Sequence, residues 1–284
     1  MERIINLPFH INSQDMHSAQ PRARGTASLT VACDARGRTG LVDLRHAGSS
    51  KLVFPRNFND ALEAILVNTA GGITGGDQYR LAATIRTGGT LTLTTQAAER
   101  AYRAQVNEVG HVETTLTVAA DACLNWLPQE LILFDHCALR RRLQIDLQGN
   151  AELLMVEPVV FGRAAMNEHL SDVFFTDRIR INRDGQPIYL DGMDLSGDAA
   201  AHTARRAIGG GARAMASLVL VRPDAATQLD VLRTMLPPTA GASLLADDIL
   251  VLRQLAEDSF ALRRDLMPIL SHLTNNSLPI SWRL

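Results

Sequence analysis

Two glutamates stand where the sequence is otherwise apolar. Glu130 directly precedes the apolar run 131–134, and Glu157 lies inside the apolar stretch 151–161. A buried carboxylate is costly unless it is paired or hydrated, so each glutamate indicates either an ion pair or a water-filled passage. The simpler alternative is an internal salt bridge, Glu157 with Arg163 or Glu130 with Arg141. Another alternative is a hydrolase that uses Glu130 and Glu157 as its acid and base.

Two other strings contain metal-binding residue types, but their spacing is poor for a chelate. They are Asp135-His136-Cys137 and Glu168-His169. Neighbouring residues of a strand point to opposite faces, so adjacent side chains cannot converge on one ion. The eight histidines form neither H-x-H nor H-x-x-x-H, and the sequence therefore predicts no strong local nickel or zinc site.

A glycine-dense loop covers residues 71–77 and has the outer glycine spacing of a phosphate-binding P-loop. Asp77 and Gln78 occupy the positions where that motif needs lysine and serine or threonine, and an aspartate would repel phosphate. The loop also leads into a strand pattern, whereas a P-loop leads into a helix. We expect its glycines to serve positive φ angles or a close approach of the backbone.

The cysteines and serines do not form a recognisable nucleophile motif. Cys33, Cys123 and Cys137 are widely separated, odd in number and without a C-x-x-C unit, and no G-x-S-x-G segment occurs. This pattern argues against a disulfide framework and a zinc knuckle, and it is typical of reduced thiols in the cytosol.

Composition restricts the class of partner. The 284 residues carry a formal net charge of -2, so no overall cationic field would attract nucleic acid or an anionic membrane. The N-terminus lacks the pattern of a signal peptide, and no apolar run has the length needed to span a bilayer. With 5% aromatic residues, the chain offers little for a ligand-binding module based on stacking.

The elements that would hold these residues are mostly strands. Apolar residues alternate with polar ones in the segments 27–31, 79–85, 90–94, 112–118, 139–147 and 173–181. Residues 151–161 are almost continuously apolar, which predicts a strand covered on both faces. Arg141 is the one charged residue on the apolar side of its alternating run. Helical spacing occurs late, at 224–236 and 258–273, with Pro268 expected to kink or end the second helix.

Two further expectations concern chain organisation. The runs 79–85 and 90–94 resemble a hairpin, and side-chain parity favours a three-residue loop beginning at Thr87 unless the runs lie in different sheets. No repeat of fixed period is present. We therefore expect a poorly ordered leader at residues 1–24 and a single β-rich domain at residues 25–284.

Several long motifs together resemble the urease accessory protein UreD family, also called UreH. They are NTAGGITGGD at 68–77, TTQAAERAYR at 94–103, NWLPQE at 125–130 and GRAAM at 162–166. The resemblance runs from about Gly25 to the C-terminus. The sequence departs from the family pattern at Asn167, where glycine is usual, and in the segment 278–282.

The resemblance implies a mainly β fold, a flattened wound or helical arrangement of many strands with about two helices near the C-terminal part. It also implies a non-catalytic, cytoplasmic chaperone of urease maturation without a tightly bound cofactor. Such a protein binds UreF, recruits UreG through UreF, and docks on urease apoprotein so that nickel reaches the active site.

Family members are thought to offer nickel an internal passage. Carboxylates and water hold a divalent ion loosely enough to release it, whereas clustered cysteine or histidine would retain nickel. The residues expected to line such a passage lie beside the motifs: Glu130, Asp135, Glu157 and Glu168, with Asp77 as a fifth.

Overall fold

The computed structural model describes residues 20–56 and 60–283. Its strands are β1 Arg24–Cys33, β2 Thr39–Gly48, β3 Ser50–Val53, β4 Leu62–Asn68, β5 Gln78–Ile85, β6 Thr90–Thr95, β7 Glu99–Ala101, β8 Gly110–Val118, β9 Cys123–Leu127, β10 Leu131–Leu133, β11 Ala138–Leu147, β12 Glu152–Phe161, β13 Val173–Arg183, β14 Gln186–Gly197, β15 Ala214–Val221, β16 Ala240–Ala246 and β17 Ile249–Ala256. Its helices are α1 Ala199–Ala204, α2 Ala225–Met235 and α3 Ser259–Leu273. The expected mainly β fold is confirmed.

The strands form two sheets. The seven-stranded sheet has the order β14-β13-β11-β8-β5-β1-β2, and the main path of the ten-stranded sheet is β16-β17-β15-β12-β9-β6-β4-β3, with β10 and β7 beside β12. From β5 to β12 the chain passes repeatedly from one sheet to the other, and successive passes pair in parallel. The result is a wound, solenoid-like β-structure that is closed by antiparallel strands at its ends.

The expected hairpin of residues 79–85 and 90–94 is wrong. β5 pairs in parallel with β1 and β8, whereas β6 pairs in parallel with β4 and β9 in the other sheet. The reason is that each strand finds partners in neighbouring coils on both sides. The turn that contains Gly88, at φ +74°, connects β5 in one sheet to β6 in the other. Ile85 and Leu91 belong to the same hydrophobic core, although their strands do not pair.

The faces predicted from alternation are confirmed in β11. Leu139, Leu143, Ile145 and Leu147 are buried on one side of this strand. Arg141 shares that side, and its side chain is 13% exposed. Parallel pairing places Arg141 between Val112 of β8 and Asp177 of β13. Arg141 and Asp177 therefore lie side by side on the inward face of the seven-stranded sheet.

Strand β12 is buried on both faces, as its continuous apolar sequence predicted. Leu153 and Met155 belong to the core between the sheets. Leu154 and Val156 belong to a second core, which also contains buried residues of α2 and α3. The helices thus cover the outer face of the ten-stranded sheet.

The two predicted late helices are confirmed as α2 and α3. Helix α3 continues five residues beyond Pro268 to Leu273, so of the two expected effects of this proline, a kink or an end, the end does not occur. Its buried side includes Leu266, Ile269 and Leu270, and this packing maintains the helix although proline removes one backbone hydrogen bond. The short helix α1 was not predicted.

The predicted N-terminal leader covers residues 1–24, of which residues 1–19 lie outside the described part. Strand β1 already begins at Arg24. Just before it, the Ala23 amide donates a hydrogen bond to Asp77 Oδ1 over 2.7 Å. The last residues of the expected leader therefore belong to the folded structure.

Candidate functional site

Two cavities lie between the sheets and share one residue. The first cavity has a volume of about 100 Å³, and its polar lining includes Asn68, Tyr79, Glu99, Trp126, Arg141 and Glu157. The second has about 20 Å³ and is lined by residues that include Glu157, Asp177, Asp191, Ser217 and Arg253. A water molecule needs roughly 10–15 Å³ in this measure, so the second cavity has room for about one. Glu157 stands at the junction of the two.

A buried charge cluster closes this junction. Arg141 donates from Nε to Asp177 Oδ1 over 3.0 Å and from Nη2 to Asp177 Oδ2 over 2.5 Å. From the opposite sheet, Glu157 Oε2 lies 2.6 Å from Arg141 Nη1. The side chains of Glu157 and Asp177 are 4% and 7% exposed. Two carboxylates and one guanidinium thus share a site that is almost free of bulk solvent.

Glu157 is held on its other side by the neighbouring strand. Trp126 donates its indole N–H to Glu157 Oε1 over 2.6 Å. Burial raises the pKa of Glu157, and Arg141 opposes this effect. Burial would lower the pKa of Arg141, but the charges of Asp177 and Glu157 outweigh burial and raise it. The guanidinium therefore stays positively charged.

Asp191 on β14 also lines the second cavity. Asp191 forms an ion pair with Arg253 and accepts a hydrogen bond from the Tyr189 hydroxyl over 3.0 Å. The Ser217 hydroxyl donates to the same carboxylate over 3.3 Å. Burial, followed by the charge of Asp191, raises the pKa of Tyr189 to about 12. This carboxylate is reachable from solvent, since 19% of its side chain is exposed.

Another carboxylate lines the first cavity. Asn68 donates from Nδ2 to Glu99 Oε2 over 3.1 Å and accepts a hydrogen bond from the Tyr79 hydroxyl over 2.9 Å. Burial raises the pKa of Glu99, while the hydrogen bond from Asn68 lowers it. Acidic side chains therefore line both cavities, from Glu99 through Glu157 to Asp191.

Glu130 has a different partner from the one expected. Its Oε1 lies 3.3 Å from Nη1 of Arg263, a residue of α3, so the predicted pair of Glu130 with Arg141 is wrong. Arg263 also donates to the carbonyl oxygen of Trp282 over 2.8 Å, and its guanidinium lies 4.9 Å from the centre of that ring. Glu130 thus helps to attach the C-terminus to α3. It lines neither cavity, and the two glutamates of the alternative hydrolase do not share one.

Asp135 and Glu168 are brought together away from the two cavities. Glu168 accepts two hydrogen bonds of 2.9 Å from the Arg163 side chain and one of 3.2 Å from the Asp135 amide. The expected pair of Glu157 with Arg163 is therefore wrong, because Arg163 finds an acid five residues away. These hydrogen bonds from Arg163 lower the pKa of Glu168. Asp135 itself accepts a hydrogen bond from the Ser171 amide over 2.7 Å.

Asp77 organises the glycine-dense loop. Besides the Ala23 amide, its carboxylate accepts a hydrogen bond from the Thr74 amide over 2.8 Å. Gly72 has φ +157°, and a Cβ there would lie 2.2 Å from the ring of Tyr102. The loop glycines therefore serve backbone conformation and close approach, as predicted.

Asp177 and Asp191 were not singled out in the sequence, although Asp177 carries a readable signal. It interrupts the apolar face formed by Val173, Phe175 and Ile179 in the way that Arg141 interrupts the face of β11. Two opposite charges on the inward faces of two strands indicate a buried pair. Asp191 lies in a strand with little alternation and gave no comparable signal.

The described residues form neither a clustered metal site nor a membrane-spanning helix. Between residues 20 and 56 and between 60 and 283, no group of three or more His, Cys, Asp or Glu side chains is arranged to hold a metal ion. The same part of the chain contains no helix that is long and apolar enough to cross a membrane.

Comparison with known proteins identifies the family. The sequence profile described as "UreD urease accessory protein" matches residues 23–282. The urease accessory protein UreD of Ruegeria pomeroyi is 51% identical over 259 residues, covering 91% of this chain and 99% of the relative. That of Roseobacter denitrificans is 49% identical over 265 residues, covering 93% and 96%. The chain therefore belongs to the UreD family of urease accessory proteins.

Proposed function

We propose that this chain is a non-catalytic scaffold that guides nickel between its two sheets toward urease apoprotein. The observation that carries the proposal is the position of Glu157, which lines both inter-sheet cavities. Nickel is here the cargo, and the protein transfers it without transforming a substrate.

The chemistry of the cavity linings suits a transferred divalent ion. Glu99, Glu157 and Asp191 follow one another along the two cavities, with Asp177 beside the junction. Oxygen ligands bind a borderline metal such as nickel more weakly than imidazole or thiolate clusters do. A succession of single carboxylates can therefore pass an ion onward without retaining it.

The other four predicted residues remain candidates for transient contact with nickel. Asp77, Glu130, Asp135 and Glu168 each already accept hydrogen bonds or an ion pair from protein groups. An ion would have to compete with these partners. We propose that their main role is to fix the loops and the C-terminus around the route.

The proposed partners follow from family membership. We propose that the chain binds UreF, recruits UreG through UreF, and docks on urease apoprotein in the cytoplasm, with residues 25–284 acting as one domain. The segments 71–77 and 94–98 are candidates for the contact with UreF.

Complementation tests the proposal directly. The chain is expressed in a urease-positive host that lacks its own copy, and the nickel content of purified urease and the rate of urea hydrolysis are measured. We expect both to be restored. Urease that matures equally well without the chain, or a hydrolytic activity of the chain alone in the absence of urease, would contradict the proposal.

A further inference from the structure

Arg141 occupies the point at which a cation would have to pass from one cavity to the next. It lines the first cavity, Asp177 lines the second, and Glu157 lines both. Its side chain is 13% exposed and lies within ion-pair distance of both acids. A guanidinium stays protonated in proteins, so its charge can be moved but not removed by titration.

The two contacts of Arg141 are unequal. Toward Asp177 the guanidinium makes two hydrogen bonds, the fork geometry that gives strong and directional pairing. Toward Glu157 it makes one contact, in which Arg141 Nη1 and the buried Glu157 Oε2 lie 2.6 Å apart. Arg141 is therefore held by two hydrogen bonds on the Asp177 side and by a single ion-pair contact on the Glu157 side.

Glu157 is otherwise well placed to receive an ion. The indole N–H of Trp126 fixes Oε1 and leaves Oε2 directed at the guanidinium. The first cavity, of about 100 Å³, adjoins the same carboxylate and has space for an ion with water ligands. The group that excludes a cation from Oε2 is the positive charge already beside it, since like charges at contact distance repel strongly where water is scarce.

We propose that Glu157 is an exchange site for a divalent cation, that Arg141 occupies this site as a tethered substitute for the cation, and that Asp177 is the anchor which retains Arg141 when it releases Glu157. This inference rests on the proposed function and adds the position at which passage of the ion is controlled. Transfer through the junction then requires displacement of one side chain, and the isolated chain holds the junction closed.

The test uses a double substitution that removes the substitute cation together with its anchor. Arg141→Met with Asp177→Asn removes one positive and one negative charge, so the net charge of the cluster is unchanged and Glu157 keeps its carboxylate without the competing guanidinium. Binding of Ni²⁺ to the purified full chain is measured by equilibrium dialysis. We expect binding roughly 10- to 100-fold tighter than in the wild type, the range over which groups around a metal ligand alter affinity. Adding Glu157→Gln must abolish this gain.

A matched control is available on the exposed face of the seven-stranded sheet. Arg178 donates from Nη2 to both carboxylate oxygens of Asp194, and the two side chains are 50% and 63% exposed. Arg178→Met with Asp194→Asn makes the same chemical change away from the junction and must leave Ni²⁺ binding unchanged.

A second junction variant is used if the double variant does not fold. It is Arg141→Gln, whose amide can still donate to Asp177, and the same gain in Ni²⁺ binding is expected.

Two results would overturn the inference: folded junction variants that bind Ni²⁺ no more tightly than the wild type, or a gain that survives Glu157→Gln. The proposed function is judged separately by complementation. If deletion of the chain leaves urease without nickel while the junction variants bind as the wild type does, only the exchange site is refuted. If urease is loaded without the chain, the function itself is refuted.

Discussion

At the residue scale, the acids of this protein divide according to what their hydrogen bonds hold in place. Asp77, Asp135 and Glu168 accept backbone amides and fix loops. Glu157 accepts the indole N–H of Trp126 and lies 2.6 Å from the guanidinium of Arg141 at the edge of the first cavity. Acidic residues therefore fix loops near the surface, and in the proposed function they contact the nickel ion in the interior.

Glu168 allows a prediction about acid stability. Its pKa is lowered from 4.5 by Arg163, so its contribution is complete above the unfolded value and is lost as the pH falls through the folded value. Glu168→Gln should lower the free energy of unfolding by about 1–3 kcal/mol at neutral pH. The difference should shrink below about pH 4.5. Denaturant unfolding across this range measures it, and a pH-independent difference would contradict the assignment.

The matched control for this prediction is Glu113→Gln. Glu113 also pairs with an arginine, Arg80, but the side chains are 50% and 70% exposed. Exposed pairs contribute about 0–1 kcal/mol. The control should therefore show little change at any pH.

The cysteines permit a second prediction at this scale. Burial raises the pKa of the Cys123 thiol to about 11 and that of Cys137 to about 12. Both should remain protonated at neutral pH and react slowly with an alkylating reagent until the protein is unfolded, because the thiolate is the reactive form. Mass spectrometry after timed alkylation measures this. Rapid native labelling of Cys137 would show that the core around it opens.

At the element scale, the glycine-dense loop 71–77 connects β4 in one sheet to β5 in the other and packs closely against a neighbouring segment. A Cβ at Gly75 would lie 2.7 Å from the carbonyl oxygen of Glu108 and 2.8 Å from Cβ of Ala104. The loop is thus pressed against the segment that leads into β8. Asp77 and Gln78 already argued against a phosphate site here, but the sequence could not show what the glycines approach.

Gly75→Ala should destabilise the fold by about 1–3 kcal/mol, the usual cost of an added methyl group in a packed site. Gly241 is the control, because nothing lies within 4 Å of a Cβ built there. Gly241→Ala should stay within about 0.5 kcal/mol of the wild type. Thermal or denaturant unfolding measures both. An unchanged stability of Gly75→Ala with loss of UreF binding would assign the loop to the interface instead.

The element scale also shows what the sequence could and could not predict. Alternation correctly placed Arg141 on an inward face and predicted β12 as a strand covered on both sides, since these properties depend on local sequence. The partner of each charge was predicted wrongly. Arg141 meets Glu157 only because two sheets wound from distant segments face each other, and no local pattern encodes that distance.

At the scale of the whole molecule, the winding of the chain creates the space between the sheets in which the proposed route lies. Successive passes of the chain alternate between two sheets, so inward residues of β11 and β12 face each other across the cavities. Helices α2 and α3 pack on the outer face of the ten-stranded sheet, whereas the two cavities lie between the sheets. The proposed route therefore depends on the winding of the strands.

The most direct test fills the first cavity. Val112 lines it, and Val112→Phe would place a ring in the space beside Arg141. Val42→Phe makes the same change at a residue that is 50% exposed. Each variant is expressed in the deletion host, its folding and its binding to UreF are verified, and the nickel content of purified urease is measured at limiting nickel. The account predicts nickel-poor urease with Val112→Phe and normally loaded urease with Val42→Phe, whereas full loading with a folded Val112→Phe chain would contradict an internal route.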